Sequence, residues 1–107
     1  MRQGEVWWAH LEPPIGRRPV LLLSRDSAYL AREQVTVALV TRTVRRIPAE
    51  VPLDQADGMP EACVVNLDSM VTIEKGSLER QVTALPEDKM RQVARAIVFA
   101  LDLRRYL

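Results

Sequence analysis

Residues 34–43, QVTVALVTRT, have the clearest strand pattern in the chain. Val35, Val37 and Leu39 fall on alternate positions, and the residues around them are rich in β-branched side chains. Alternation with a period of two is typical of a strand with one buried face, and β-branching favours the extended backbone. The segment therefore predicts a strand at the centre of a sheet, and the rest of the chain is interpreted outward from it.

Shorter strands are predicted on both sides of this segment. They cover Glu5–Leu11, Pro19–Ser24, Ala49–Leu53, Ala62–Leu67, Met70–Ile73 and Glu79–Thr83. Pro48 and Pro52 indicate an edge position for the strand at 49–53, because proline cannot donate a ladder hydrogen bond. Residues 13–16 and 57–60 contain the proline and glycine typical of turns, and residues 26–32 are weakly helical.

After Pro86 the spacing of apolar residues changes to a helical period. Pro86 suits the first helical position, and the acidic Glu87 and Asp88 suit the first turn. One apolar stripe follows and is expected in the core: Met90, Val93, Ala94, Ile97, Val98 and Leu101. Several short strands followed by one long helix predict an α+β fold or a small barrel, as a single domain over residues 1–107.

Composition narrows the classes of protein that the chain can represent. A length of 107 residues allows one modest core, and the single cysteine excludes an internal disulfide or a cysteine-based zinc site. No apolar run approaches the roughly 20 residues of a membrane-spanning helix, and residues 1–5 lack the apolar core of a signal peptide. We therefore expect a cytoplasmic protein without a membrane association.

Basic residues are concentrated in the first half of the chain. Residues 1–50 contain eight Arg, no Lys and five acids, whereas residues 51–107 contain seven bases and nine acids. Seven of these arginines fall around three predicted loops: Arg17, Arg18, Arg25, Arg32, Arg42, Arg45 and Arg46. They could gather into one face that binds phosphate, or they could simply be solvated surface charges. Charge alone does not separate the two interpretations.

The usual catalytic motifs are absent from the sequence. His10 is the only histidine and is expected at the surface, and Cys63 is expected as a small apolar residue at a strand start. No cofactor or metal is therefore expected, and hydrolytic chemistry would depend on Arg, Thr, Ser and backbone groups. RNA cleavage is compatible with that set because the 2′-hydroxyl is the nucleophile. An arginine and a threonine on neighbouring strands could stabilise the phosphorane and leave a 2′,3′-cyclic phosphate and a 5′-hydroxyl.

Several segments, in order and with their spacing, resemble the MazF/PemK family of type II toxin–antitoxin toxins. The resemblance covers nearly the whole chain and ends in the apolar C-terminal helix. It is carried by Gly4–Trp8, Arg17–Ser24, Val35–Thr41, Glu50–Leu53, Asp57–Gly58 and Cys63–Asp68.

The resemblance implies a compact SH3-like β-barrel with added helices that works as a homodimer. It implies sequence-specific, metal-independent cleavage of single-stranded RNA, restrained by a cognate MazE-like antitoxin that occupies the RNA groove. The family's catalytic arginine precedes the proline of the second strand, which is the position of Arg18. Its catalytic threonine ends the following long strand, which is the position of Thr41.

The resemblance also implies the residues that contact RNA. Arg17 and Arg42 flank the two catalytic positions and are expected to bind phosphates. The segment where relatives contact bases corresponds to Asn66, Asp68 and Ser69, whose side chains can bind Watson–Crick edges. The sequence departs from the family pattern in the loop at residues 12–16, which is shorter than in many relatives.

Two other functions remain open from the sequence. The CcdB-type toxins resemble this architecture and poison DNA gyrase instead of cutting RNA. An SH3-like module without catalytic activity is the third alternative. The pairing of Arg18 with Thr41 and the basic cluster favour the ribonuclease.

Overall fold

Six strands form one curled antiparallel sheet in the computed structural model, which describes residues 1–107. The strands are β1 (Glu5–His10), β2 (Arg17–Leu22), β3 (Gln34–Thr41), β4 (Glu50–Leu53), β5 (Cys63–Glu74) and β6 (Leu78–Ala84). The helices are α1 (Ala28–Ala31) and α2 (Glu87–Ala100), with 3-10 turns at Gln55–Asp57, Lys75–Ser77 and Arg104–Tyr106. The half-barrel with a C-terminal helix confirms the predicted α+β class.

The order of strands in the sheet is β4-β5-β3-β2-β1-β6. The strand predicted from residues 34–43 is central, since β3 pairs with β2 on one side and with β5 on the other. Strand β4 lies at one edge, as Pro48 and Pro52 predicted, and Pro52 faces Val64 of β5. A hairpin joins β1 to β2, whereas β6 leaves β5 and pairs with β1 at the other edge of the sheet.

Strand β5 corrects the prediction of two separate strands at residues 62–67 and 70–73. It is one strand of 12 residues, in which Asn66 pairs with Leu39 and Met70 pairs with Ala38. Residues 67–69 therefore form a bulge opposite an uninterrupted stretch of β3. A bulge inserts unpaired residues and locally rotates the side chains, so the strand period breaks at this point of the sequence.

Helix α2 confirms the predicted C-terminal helix, with two corrections. Pro86 lies at the N-cap rather than at the first helical position. The buried side of the helix is formed by Val93 and Ala96, whereas Ala94 and Leu101 of the predicted stripe are exposed. Leu101 lies beyond the last helical residue, Ala100, and Ala94 follows the buried Val93 by one position, which is about 100° around the helix. Neither helix is both long and apolar enough to span a membrane.

Two apolar clusters fill the two sides of the curled sheet. The larger cluster contains 13 buried residues and includes Val6, Leu21 and Leu67 from the sheet and Val93 from α2. The smaller cluster contains eight residues, with Val37 from the sheet packed near Tyr29 of α1. Since both sides of the central strands are covered, their side chains are buried in succession, as residues 20–22 and 63–67 are.

A side-chain contact joins the two edges of the curled sheet. Thr83 in β6 donates a hydrogen bond of 2.9 Å to the carbonyl of Asp57, in the turn that follows β4. Gly58 has a φ of +90°, and its Cα lies directly against the Thr83 side chain. Lys89 of α2 reaches the same turn, with 3.7 Å between its ammonium and the Asp57 carboxylate. The 57–58 turn therefore closes the half-barrel between β4 and β6.

We expect Gly58→Ala to lower the free energy of unfolding by about 2–4 kcal/mol, because the methyl group would overlap the Thr83 hydroxyl and the positive φ disfavours a side chain. Urea unfolding measures the loss. Gly76→Ala is the matched control, since a Cβ at Gly76 meets no atom within 4 Å and its φ is not positive. Equal stability of Gly58→Ala and Gly76→Ala would contradict the closure.

Candidate functional site

The register between β2 and β3 brings Arg18 and Thr41 together. Val20 faces Leu39 in the ladder, and the same register continued by two residues places Arg18 opposite Thr41. Directly opposed residues of antiparallel strands point to the same side of the sheet with neighbouring Cβ atoms. The two side chains predicted to be catalytic are thus neighbours because of strand pairing, although 23 positions separate them in the sequence.

A cavity of about 520 Å³ opens at this end of the sheet. Four of the predicted site residues line it: Arg17, Arg18, Thr41 and Arg42. Other walls come from Trp8 of β1, from Val82 of β6 and from four residues that follow the closing turn: Met59, Pro60, Glu61 and Cys63. The cavity therefore depends on the contact that joins the edges of the sheet.

Arg18 lines the cavity and has a hydrogen-bond donor without a partner. The residue is half-buried, and its Nε is buried without a hydrogen-bond partner. No carboxylate lies within 4.0 Å of its guanidinium, in contrast to Arg17 and Arg42. An unsatisfied buried guanidinium donor is costly in the free protein. It can be satisfied by an anion that enters the cavity.

Thr41 has a fixed hydroxyl at the end of β3. Its Oγ1 accepts a hydrogen bond of 3.1 Å from the backbone N–H of Thr43, which orients the side chain as the strand turns away. The hydroxyl hydrogen is not used by this contact and can be donated to a ligand oxygen. Arg18 and Thr41 lie on two adjacent strands. Together they provide a positive charge and hydrogen-bond donors to a bound anion.

Arg17 is held at the edge of the cavity by two neighbours. Its guanidinium lies 4.2 Å from the centroid of the Trp8 ring, and its Nε donates to both oxygens of Glu79 at 3.2 and 3.3 Å. His10 is exposed at the end of β1, with its Nδ1 4.0 Å from the Glu79 carboxylate. The histidine is a surface residue, as predicted, and Trp8 presents an aromatic face that Arg17 already occupies.

Arg42 occupies the rim of the cavity. Its Nη1 lies 3.1 Å from Oε1 of Glu61, and both side chains are largely exposed. Exposed ion pairs of this kind contribute little to stability, so a phosphate can compete for the guanidinium. No pattern in the sequence indicated that Glu61 would lie at the cavity rim, because its position there follows from the closing turn.

The segment predicted to contact bases lies outside the cavity. Asp68 is exposed and Ser69 is half-buried on the β5 bulge, whereas Asn66 is only 8% exposed. The Asn66 side-chain oxygen accepts a 2.9 Å hydrogen bond from the backbone N–H of Asp68. In this geometry Asn66 holds the bulge, and Asp68 and Ser69 are the two residues of the segment that reach solvent.

The strand topology divides the basic residues into two groups. Arg25 and Arg32 flank α1 and precede β3, whereas Thr41 ends it. An eight-residue strand spans roughly 23 Å between its first and last residues, so Arg32 lies far from the cavity. Arg42, Arg45 and Arg46 follow the cavity end of β3. Of the two interpretations left open by the sequence, a single shared face does not hold for Arg25 and Arg32.

Comparison with known proteins gives three consistent results. Residues 2–101 match the family model described as PemK-like, MazF-like toxin of type II toxin–antitoxin system. A probable endoribonuclease, MazF5 of Mycobacterium tuberculosis, is 38% identical over 104 residues, or 96% of this chain and 94% of that protein.

Two solved structures have the same architecture. The M. tuberculosis toxin MazF-mt6 is 36% identical with a TM-score of 0.85, covering 92% of this chain and 96% of its own. A MazE–MazF structure from Deinococcus radiodurans is 25% identical with a TM-score of 0.77, covering 94% of each chain.

Cys63 forms part of the cavity wall and is only 5% exposed. Burial raises the pKa of its thiol, and the nearby carboxylates of Asp57, Glu61 and Asp54 raise it further. The thiolate is the reactive form, so the raised pKa lowers its fraction at neutral pH. This agrees with the prediction that Cys63 is a small apolar residue at a strand start rather than a nucleophile.

We expect the Cys63 thiol to react with a disulfide reagent such as DTNB more than about tenfold more slowly in the folded protein than in guanidinium chloride at the same pH. The single cysteine makes the absorbance signal unambiguous, and Cys63→Ala provides the blank. The reaction rate in the folded protein should rise with pH, because a thiol with a raised pKa ionises only in more alkaline solution. Equal rates in the folded and unfolded states would contradict the assignment.

Proposed function

Since the chain belongs to the PemK-like, MazF-like family of type II toxin–antitoxin toxins and is an endoribonuclease toxin, we propose that it cleaves single-stranded RNA at specific sequences in the cavity between Arg18 and Thr41. The observation that carries this proposal is the buried Nε of Arg18, which has no partner in the protein, in a residue that lines the same cavity as Thr41. The relatives' activity favours RNA cleavage over gyrase poisoning or a non-catalytic binding role.

The proposed reaction uses the RNA's own nucleophile and needs no metal. The 2′-hydroxyl gives its proton to solvent water while its oxygen bonds to the adjacent phosphorus, and the bond from phosphorus to the 5′-oxygen breaks. Solvent water returns one proton to the departing 5′-oxygen, which leaves a 2′,3′-cyclic phosphate and a 5′-hydroxyl with no net change in protons. Charge accumulates on the non-bridging oxygens in the transition state, where the Arg18 guanidinium stabilises it.

Thr41 has a positioning task in this scheme. Its hydroxyl, oriented by the Thr43 N–H, donates to one non-bridging oxygen and holds the phosphorus in line with the attacking 2′-oxygen. Arg18 then binds from the neighbouring strand. Both residues lie on strands of one sheet, two positions beyond the last pair of the β2–β3 ladder, so the two groups require little reorganisation during the reaction.

The other predicted residues are proposed to bind the RNA on either side of the cleaved bond. Arg17 and Arg42 line the cavity next to the catalytic pair and are suited to flanking phosphates. Asp68 and Ser69 are proposed to contact bases from the exposed bulge of β5. Asn66 would support base recognition by fixing that bulge, since its own side chain is buried.

The proposed partners are RNA, a cognate MazE-like antitoxin and a second copy of the chain. An acidic, partly disordered antitoxin segment would suit the basic rim of the cavity and exclude RNA. A homodimer would cover the apolar side chains exposed after α2, where Leu103 is 37% exposed and Tyr106 is 71% exposed. The cytoplasm, where RNA is available, is the proposed compartment.

We expect the purified protein to cut total RNA into discrete fragments in the presence of EDTA. Cleavage by the 2′-hydroxyl predicts fragments with 5′-hydroxyl ends, which sequencing of end-ligated libraries identifies and maps to a recognition sequence. A substrate with a single 2′-deoxy substitution at the mapped site should remain intact because the nucleophile is missing. Intact total RNA, or fragments with 5′-phosphate ends, would overturn the proposed chemistry.

We expect Arg18→Ala to reduce kcat/KM by roughly 10²–10³-fold, the usual effect of removing one donor that stabilises transition-state charge. Thr41→Val should lower it less, because it removes a positioning contact and preserves the shape of the side chain. Arg32→Ala is the matched control, since Arg32 is exposed at the far end of β3. Urea unfolding checks that all three variants are folded; cleavage by folded Arg18→Ala at the wild-type rate would refute its role.

A further inference from the structure

Glu50 is a buried carboxylate that the proposed reaction does not use. It begins β4, is only 9% exposed, and faces Asn66 across the ladder to β5. Its Oε1 accepts two backbone hydrogen bonds, from Arg45 at 2.9 Å and from Arg46 at 2.8 Å. Its Oε2 is buried without a partner. A half-satisfied buried carboxylate is costly, so stability alone does not account for a glutamate here.

The two hydrogen bonds fix an unusual turn. Arg46 has a φ of 58°, a left-handed conformation that residues other than glycine rarely adopt. The consecutive N–H groups of Arg45 and Arg46 converge on one oxygen, which is the geometry of a backbone nest that binds an anion. Here Glu50 supplies the anion from within the chain. The carboxylate therefore stabilises a turn that the two arginines would not otherwise favour.

The turn presents two free cations beside the cavity. Arg45 and Arg46 are exposed, and no carboxylate lies within 4.0 Å of either guanidinium, unlike Arg17 and Arg42. The turn follows directly from Arg42 at the rim. Ala49 also accepts a hydrogen bond of 2.8 Å from the N–H of Leu67, which joins the same loop to the β5 bulge. The loop that carries the two arginines thus runs from the cavity rim to the β5 bulge.

We propose that the Arg45–Arg46 turn is a second phosphate-binding site for single-stranded RNA, outside the cleavage cavity, and that Glu50 is the residue that positions it. The inference rests on the proposed ribonuclease function. The bound group is a phosphate of the same strand, one that flanks the cleaved bond on the side toward Asp68. Neither arginine touches the reacting atoms, so the turn acts on RNA affinity rather than on the chemical step.

The test compares cleavage with binding in the full-length protein. Binding is measured by fluorescence anisotropy on the RNA sequence mapped by the EDTA assay, with a 2′-deoxy nucleotide at the cleaved position to prevent reaction. We expect the double variant R45A/R46A to weaken binding roughly 10–30-fold at 0.1 M salt and to reduce the slope of log Kd against log salt by about 1.4. Its kcat should stay within about twofold of wild type, and its KM should rise with Kd.

Variants of Glu50 test the positioning role. Glu50→Gln retains the Oε1 acceptor for both N–H groups and is expected to bind RNA as the wild type does. Glu50→Ala removes the acceptor and should reproduce the raised KM and the smaller salt slope of R45A/R46A, although both arginines are present. The double variant R25A/R32A is the charge-matched control for R45A/R46A, since both residues are exposed and lie away from the cavity, and it should leave Kd and slope unchanged. If Glu50→Ala does not fold by circular dichroism, Glu50→Asp, whose shorter side chain withdraws the acceptor, replaces it.

The outcomes separate the two proposals. An unchanged salt slope in R45A/R46A, or wild-type affinity in a folded Glu50→Ala or Glu50→Asp, would overturn the second site while wild-type cleavage stands. A wild-type protein that neither binds nor cuts RNA would instead overturn the proposed function. A fall in kcat with unchanged KM in R45A/R46A would also contradict the inference, because it would place the turn in the chemical step.

Discussion

The contact between the 57–58 turn and Thr83 is the constraint on which the rest of the molecule depends. Strands β4 and β6 are the two edges of an open sheet and do not pair with each other. Closure is made instead by one hydroxyl, one backbone carbonyl and a glycine without a side chain. The segment that leaves this turn then supplies Met59 to the core and Glu61 to the cavity rim. Without the closure, the paired strands would still align Arg18 with Thr41, but on an open surface.

Much of this architecture could be predicted because it depends on short-range patterns. Alternation defined β3, prolines placed β4 at an edge, and the change to a helical period located α2. What the sequence could not provide was geometry that arises from curvature. The bulge joined two predicted strands into one β5, and helix α2 ended one residue before Leu101. The first error comes from treating a strand as regular.

The candidate site also contains residues that could be predicted from the sequence and residues that could not. Arg18 and Thr41 were selected by resemblance, and strand register gives a physical reason for their proximity. Asn66 was expected to reach bases, yet β5 lies between β3 and β4, so its position is buried. No sequence motif indicated roles for three glutamates, Glu61, Glu79 and Glu50. Each contacts an arginine only because the folded chain brings the two residues together. Residues that position other residues are the least visible in a single sequence.

The bulge of β5 has a consequence for how such a protein can diversify. Ladder pairs are fixed on both sides of residues 67–69, by Asn66 with Leu39 and by Met70 with Ala38. Substitutions at Asp68 and Ser69 therefore leave the register, and with it the spacing of the cavity residues, unchanged. Under the proposed function, preference for an RNA sequence and capacity to cut it reside in separately mutable parts of one small domain. A lineage of such toxins could acquire new targets by changing two exposed side chains while its reaction centre is inherited intact.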